Sequence, residues 1–85
     1  MKNIITVKVR LFAGLERDAD VDDYDRNEGI TLNVPDGTRL KKVLNMIRLS
    51  DRYSLVYFIH GEQVGLREKL EDGDEIACLR PAAGG

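Results

Sequence analysis

Residues 30–47 read ITLNVPDGTRLKKVLNMI and change from a strand pattern to a helix pattern across one turn. Apolar and polar residues alternate over 30–34, as is typical of a strand with one face on a core. Pro-Asp-Gly at 35–37 is a turn signal. Leu40, Val43, Leu44 and Ile47 then have the spacing of one helical face, and Thr38 is predicted to cap that helix.

Strand patterns lie on both sides of this unit. Apolar residues at 5, 7, 9 and 11 alternate with mostly polar ones, which predicts a strand that forms a hairpin with residues 30–34. Downstream, residues 55–59, 63–64 and 75–79 are predicted strands, separated by turn signals at 60–62 and 72–74. This order in 85 residues predicts one α+β domain, with a mixed sheet and a helix across one face.

Charge and composition exclude several classes of protein. The net charge of −2 gives no overall positive field for a nucleic acid. Residues 16–28 hold seven of the acids and two arginines, which predicts a solvated loop. Asp18, Asp20 and Asp22 have the spacing of a calcium loop, but the Gly and Glu that such a loop needs are missing, so no metal site is predicted.

The cysteine and histidine content bears on both localisation and side-chain catalysis. A single cysteine, Cys78, fits a reducing compartment, and no uninterrupted apolar run suggests a leader or a membrane span, so we expect a cytoplasmic protein. Cys78 lies on the predicted last strand and is interpreted as a small buried hydrophobe. His60, the only histidine, is expected at a surface turn and not in a catalytic centre.

The last six residues, RPAAGG at 80–85, are the strongest chemical feature. Pro81 cannot extend a sheet ladder, and no later residue has a bulky side chain. We therefore expect a slim tail that can enter a narrow active site, because glycine allows a close backbone approach. A frayed, inert terminus is the simpler alternative.

Residues 70–76, LEDGDEI, followed by a strand, Pro81 and Gly84-Gly85, resemble the C-terminal signature of the ubiquitin-like sulfur carriers of the MoaD/ThiS family. Residues 9–13, VRLFA, are similar to the first strand of the MoaD branch, the small subunit of molybdopterin synthase. The resemblance covers most of the chain and implies a β-grasp fold. Arg80 and Ala82-Ala83 depart from the MoaD pattern. These departures affect the assignment to a branch of the family more than the chemistry that the family shares.

The resemblance implies a carrier and not an enzyme in its own right. A MoeB/ThiF-type enzyme would use ATP to adenylate the Gly85 carboxylate, and a sulfur donor such as a persulfide-carrying sulfurtransferase would convert it to a thiocarboxylate. A MoaE-type large subunit of the synthase, or a thiazole synthase in the thiamine pathway, would accept the sulfur. The resemblance implies no stably bound cofactor, and the charge balance and the lack of a long apolar run lead us to expect neither a nucleic-acid nor a membrane partner.

The resemblance and the strand patterns together suggest the limits of the domain and the residues that contact a partner. Residues 1–79 are expected to form the β-grasp domain, with Arg80, Pro81, Ala82, Ala83, Gly84 and Gly85 as the threading tail. Leu79, Phe12, Tyr57 and Ile59 are predicted to form the partner-binding face of the sheet. The opposite assignment, in which Val56 and Phe58 face outward and Tyr57 and Ile59 face the core, stays open. Residues 55–59 have no alternation of polar and apolar residues that would decide between the two.

Two other classes of function are compatible with the same sequence. A ubiquitin-like modifier would join Gly85 to lysines of target proteins through isopeptide bonds. A plain β-grasp interaction module would have an inert tail.

Overall fold

A computed structural model describes residues 3–12, 28–49 and 54–81 of the protein. The elements of these ranges, in chain order, are β1 (Ile4–Leu11), β2 (Ile30–Pro35), α1 (Leu40–Met46), β3 (Val56–Ile59), β4 (Glu62–Val64) and β5 (Glu75–Leu79). The strands form a five-stranded sheet in the order β2-β1-β5-β3-β4. Each predicted strand is present, with bounds that differ by a residue or so at some ends.

The sheet is mixed, as predicted. β1 pairs antiparallel with β2 and parallel with β5, while β3 pairs antiparallel with both β5 and β4. The hairpin of β1 and β2 has Val7 opposite Leu32, so the two alternating apolar patterns share one face. The chain therefore forms the α+β architecture that its element order indicates.

The hydrophobic core lies between α1 and one face of the sheet. Leu40, Val43 and Leu44 of the helix are fully buried, in the spacing that the sequence indicated. On the sheet side, the buried apolar residues of β1, β2, β3 and β5 are Ile5, Val7, Val9, Leu11, Val34, Tyr57, Ile59, Ile76 and Cys78. Burial of this shared face stabilises a seven-residue helix that would not form in isolation.

The prediction that Thr38 caps α1 is wrong. The N-cap residue is Arg39, which makes no side-chain capping bond, and the Thr38 hydroxyl donates instead to the Pro35 carbonyl at 2.6 Å. The first helical N–H groups, of Leu40 and Lys41, donate to carbonyls of residues 68 and 66, each at 2.9 Å. A neighbouring backbone segment thus satisfies the donors that a side-chain cap would otherwise accept.

Several predictions fall outside the described ranges. These are the acidic loop up to residue 27, the calcium-like spacing of Asp18, Asp20 and Asp22, and tail residues 82–85. Glu28, at the end of the acidic stretch, is described: its Oε2 lies 3.2 Å from Lys8 Nζ. Within the described ranges, no helix has the length and apolarity that a membrane crossing requires.

Candidate functional site

The tail begins where two neighbouring inner strands, β1 and β5, end side by side. The two strands are parallel, with Leu11 opposite Cys78, and the Phe12 N–H extends the ladder by donating to the Cys78 carbonyl at 3.1 Å. Arg80 and Pro81 follow β5 and are exposed. The described chain thus leaves the fold beside Phe12.

The direction of β5 is fixed at its other end by the turn in residues 70–76. The Thr6 N–H donates to Asp72 Oδ1, and the Gly73 N–H donates to the Thr6 carbonyl, both at 2.8 Å. Gly73 has a φ of +88°, in the left-handed region that favours glycine. The LEDGDEI motif therefore holds the start of β5 against β1, and this register determines where the tail leaves the sheet.

Asp74 is the one polar residue of this turn that is buried. Its Oδ2 accepts the Glu71 N–H at 2.8 Å, and its Oδ1 lies 3.2 Å from His60 Nε2. The His60 side chain is 75% exposed and belongs to the turn between β3 and β4. The five residues of β5 separate this contact from the tail by about 16 Å, so His60 joins two turns and does not face the tail.

The outer face of the sheet, opposite α1, carries an apolar cluster next to the tail. Its members are Phe12, Val56, Phe58, Ala77 and Leu79, which we call the outer patch. Val56 lies opposite Leu79 and Phe58 opposite Ala77, while Phe12 follows the β1 residue paired with Cys78. Phe12 is 42% exposed, and the other four are half-buried.

Of the four predicted partner-binding residues, Leu79 and Phe12 lie on the outer face, but Tyr57 and Ile59 do not. Tyr57 is 3% exposed and Ile59 is 7% exposed, so the expectation that they face outward is wrong. They lie opposite Cys78 and Ile76, and directly paired residues share a face of the sheet. Their places on the outer face are taken by Val56 and Phe58.

The outer patch is flanked by cationic side chains. Arg10 lies opposite Ala77, and its Nε is 3.1 Å from Glu75 Oε1 while 41% of the side chain stays exposed. Arg80 is exposed immediately after Leu79. Arg80 and the Arg10–Glu75 pair thus place charged side chains at the margin of the apolar outer patch, a composition typical of the rim of a protein interface.

Cys78 lies beneath this site and not in it. The thiol is on the core face, fully buried, and burial raises its pKa from 9.0 to about 12. A thiol in this state is protonated at neutral pH and is not a nucleophile. Among the described residues, no three His, Cys, Asp or Glu side chains are grouped so as to hold a metal ion.

No family model and no curated protein matches this sequence. Solved structures are similar in fold. SAMP1 from Haloferax volcanii has a TM-score of 0.60 and 21% identity, over 94% of this chain and 99% of that one. A ubiquitin from Caldiarchaeum subterraneum has a TM-score of 0.52 and 16% identity, over 98% of this chain and 100% of that one.

These likenesses, with the mixed sheet and its single packed helix in the described ranges, define a ubiquitin-like β-grasp fold. The β-grasp expectation is confirmed. Each matched structure is covered over almost its full length, so the similarity includes the whole domain.

Proposed function

We propose that this protein is a sulfur carrier whose Gly85 carboxylate is adenylated and then converted to a thiocarboxylate. The observation that supports the proposal most directly is the path of β5. This strand runs from the LEDGDEI turn, contributes Ala77 and Leu79 to the outer patch, and leads into residues 80–85. The resemblance of this turn and of Gly84-Gly85 to the MoaD/ThiS signature supports the same chemistry.

The chemistry needs a partner enzyme because a free carboxylate is a poor acyl electrophile. An oxygen of the Gly85 carboxylate attacks the α-phosphorus of ATP, and pyrophosphate leaves. The terminal sulfur of the donor's persulfide then displaces AMP from the acyl-adenylate and forms an acyl disulfide. A second thiol reduces this acyl disulfide: it forms a disulfide with the donor's cysteine and releases the thiocarboxylate. Neither His60 nor Cys78 is placed to assist these steps: His60 lies at the far end of β5, and the buried Cys78 thiol stays protonated.

The geometry limits where the partner can bind. Six residues follow one another from Arg80 to Gly85, and an extended chain spans at most about 20 Å over that length. An enzyme that holds Gly85 therefore lies within this distance of Leu79, a member of the outer patch. Threading the tail fixes its backbone at a cost of about 1–2 kcal/mol per residue, which contacts with the patch must offset.

We assign the sulfur to molybdopterin biosynthesis, with the protein as the non-catalytic small subunit of the synthase beside a MoaE-type subunit. The similarity of residues 9–13 to the MoaD branch supports this choice over the thiamine pathway. In this proposal residues 80–85 thread into the partner, and Leu79 and Phe12 contact it.

The second candidate is a ubiquitin-like modifier, which forms an isopeptide bond between Gly85 and a lysine of a target. The structural likeness to the Caldiarchaeum subterraneum ubiquitin favours it. Activation by ATP is common to both candidates, but the products differ. Conjugates of high mass that disappear when Gly85 is deleted would identify the modifier.

The activation step can be tested by ATP–pyrophosphate exchange with the MoeB/ThiF-type enzyme from the same cells. Deletion of Gly85, or addition of one alanine after it, is expected to abolish exchange while the urea unfolding curve stays unchanged. Thr31→Ala, an exposed change on β2, is the matched control and should retain full exchange. Exchange that survives both tail changes would refute the proposal.

A further inference from the structure

The sequence contains two Asp-Gly pairs, at 36–37 and at 72–73, and both lie in exposed turns. In such a pair the backbone nitrogen of the glycine can attack the carboxyl carbon of the aspartate, because glycine has no side chain to hinder the approach. The two pairs share this chemistry, but different hydrogen bonds hold their reacting groups.

Both reacting groups of the pair at 72–73 are bonded to β1. Asp72 Oδ1 accepts the Thr6 N–H, and the Gly73 N–H donates to the Thr6 carbonyl, each at 2.8 Å. The Asp74 N–H closes the turn by donating to the Glu71 carbonyl at 3.1 Å. The Gly73 nitrogen therefore reaches the Asp72 carboxyl carbon only after both bonds to Thr6 break.

The turn at 36–37 is held by bonds that do not involve its reacting groups. The Thr38 N–H and hydroxyl donate to the Pro35 carbonyl, at 3.1 and 2.6 Å, and the Asp36 N–H donates to the Asn3 carbonyl at 2.8 Å. Within residues 3–12, 28–49 and 54–81, neither the Asp36 carboxylate nor the Gly37 N–H has a hydrogen-bond partner. Apart from its chain neighbours, no residue lies within 4 Å of the place that a Cβ of residue 37 would occupy.

We infer that Asp36-Gly37 is a site of isoaspartate formation in the folded protein, whereas the pair at 72–73 is protected. The Gly37 nitrogen attacks Cγ of the Asp36 carboxyl group. The N–Cγ bond forms, the nitrogen loses its proton and a carboxyl oxygen leaves as water, which gives a succinimide. Water then adds to the main-chain carbonyl carbon of residue 36 and breaks its bond to the Gly37 nitrogen. The main chain now runs through Cγ, and the former main-chain carbonyl is a carboxylate.

This new carboxylate is the group that an isoaspartyl methyltransferase esterifies with the methyl group of S-adenosylmethionine, and S-adenosylhomocysteine leaves. The site is exposed and lies far from the tail, since Pro35 pairs with Ile4 at the start of β1 and the tail begins beside the other end of β1. The inference thus goes beyond the proposed function and does not depend on it.

The modification should loosen the contact between this turn and the segment before β5. It adds one main-chain carbon between Pro35 and Thr38, whose two hydrogen bonds require the tight turn. The Thr38 carbonyl in turn accepts the Leu70 N–H at 2.9 Å. A longer turn displaces Thr38 from these partners, so the isoaspartyl form should unfold at a lower urea concentration.

The test incubates the full-length protein at neutral pH and physiological temperature over several weeks, with trypsin digestion at intervals. The two pairs fall on different tryptic peptides, residues 27–39 and 70–85. A purified isoaspartyl methyltransferase and labelled S-adenosylmethionine measure isoaspartate in each peptide, and electron-transfer fragmentation locates it. A net hydrogen bond changes an equilibrium about fivefold, so the two bonds to Thr6 should make residue 72 at least about tenfold slower than residue 36.

Asp36→Glu is the matched variant, because it keeps the negative charge while the longer side chain does not form a succinimide. Its peptide 27–39 should gain no methyl label. The second control is the protein in urea, where the bonds to Thr6 are lost and the two pairs should react at similar rates.

Equal rates for the two pairs in the folded protein, or no label in its peptide 27–39, would overturn the inference. Label that persists in peptide 27–39 of Asp36→Glu would also overturn it, since another residue would then be the source. The isoaspartyl fraction can be separated by ion exchange, and a urea unfolding curve equal to that of the unmodified protein would refute the effect on the turn.

Discussion

Replacement of Asp74 by alanine should lower the free energy of unfolding, because Asp74 stabilises the turn in residues 70–76 from which β5 starts. Asp74 is the buried polar residue of the described ranges, and its carboxylate accepts the Glu71 N–H at 2.8 Å. The substitution removes that acceptor and the contact with His60. The substitution leaves every residue of the outer patch unchanged, so its effect should be a lower free energy of unfolding.

The magnitude follows from the two contacts. A hydrogen bond to a charged group contributes about 1.5–3 kcal/mol. The His60 contact adds little because the His60 side chain is 75% exposed, so water screens its interaction with the buried Asp74 carboxylate. We expect the free energy of unfolding to fall by about 2 kcal/mol, which for a domain of this size lowers Tm by roughly 8–16 °C.

Urea unfolding followed by circular dichroism measures this loss. The matched control is Glu71→Ala, which removes the same charge from an exposed side chain of the same turn. Its free energy of unfolding should change by no more than about 0.5 kcal/mol. A loss for Asp74→Ala no larger than that of the control would refute the role given to the buried carboxylate.

Four further predictions follow from the placement of single side chains. Ile59→Asp should abolish the cooperative unfolding transition, because it places a charge in the core, whereas Phe58→Asp on the outer face should leave a folded protein. The reverse result in circular dichroism would contradict the assigned faces. Leu79→Asp should raise the KM of the activating enzyme for the carrier without unfolding the domain, and an unchanged KM would exclude Leu79 from the docking surface. Cys78 should resist a disulfide reagent at pH 8 in the native state and react in urea, since its raised pKa of about 12 reduces the thiolate about a thousandfold. For the same reason the unfolded chain releases the thiol proton first, so stability should decline as pH rises from 9.0 towards about 12, and an alkaline limb unaffected by Cys78→Ala would contradict this.

The fold could be predicted from sequence where one side of an element is polar. The alternation in β1 and β2 identifies a single core face, and the register confirms it with Val7 opposite Leu32. The spacing of α1 likewise identifies its buried side. In residues 55–59 every side chain is apolar or aromatic, so the sequence contains no signal of parity. Only the pairing of Tyr57 with Cys78 determines it.

The candidate site shows the same division. Leu79 and Phe12 could be placed near the tail because β5 leads directly into it and β1 is its neighbour. The outward placement of Val56 and Phe58 could not be found from sequence, since it depends on their pairing with Leu79 and Ala77, which are distant in the chain. The Thr38 cap failed for a similar reason, because a distant backbone segment took its place.

The most direct test of the central claim is the intact mass of the protein isolated from its own cells without reducing or alkaline treatment. The account predicts a fraction of molecules in which one carboxylate oxygen of Gly85 is replaced by sulfur, and a C-terminal fragment that localises the change. Protein that carries only a free carboxylate, with Gly85-linked conjugates present, would contradict the carrier and establish the modifier. Free carboxylate with neither product would contradict both.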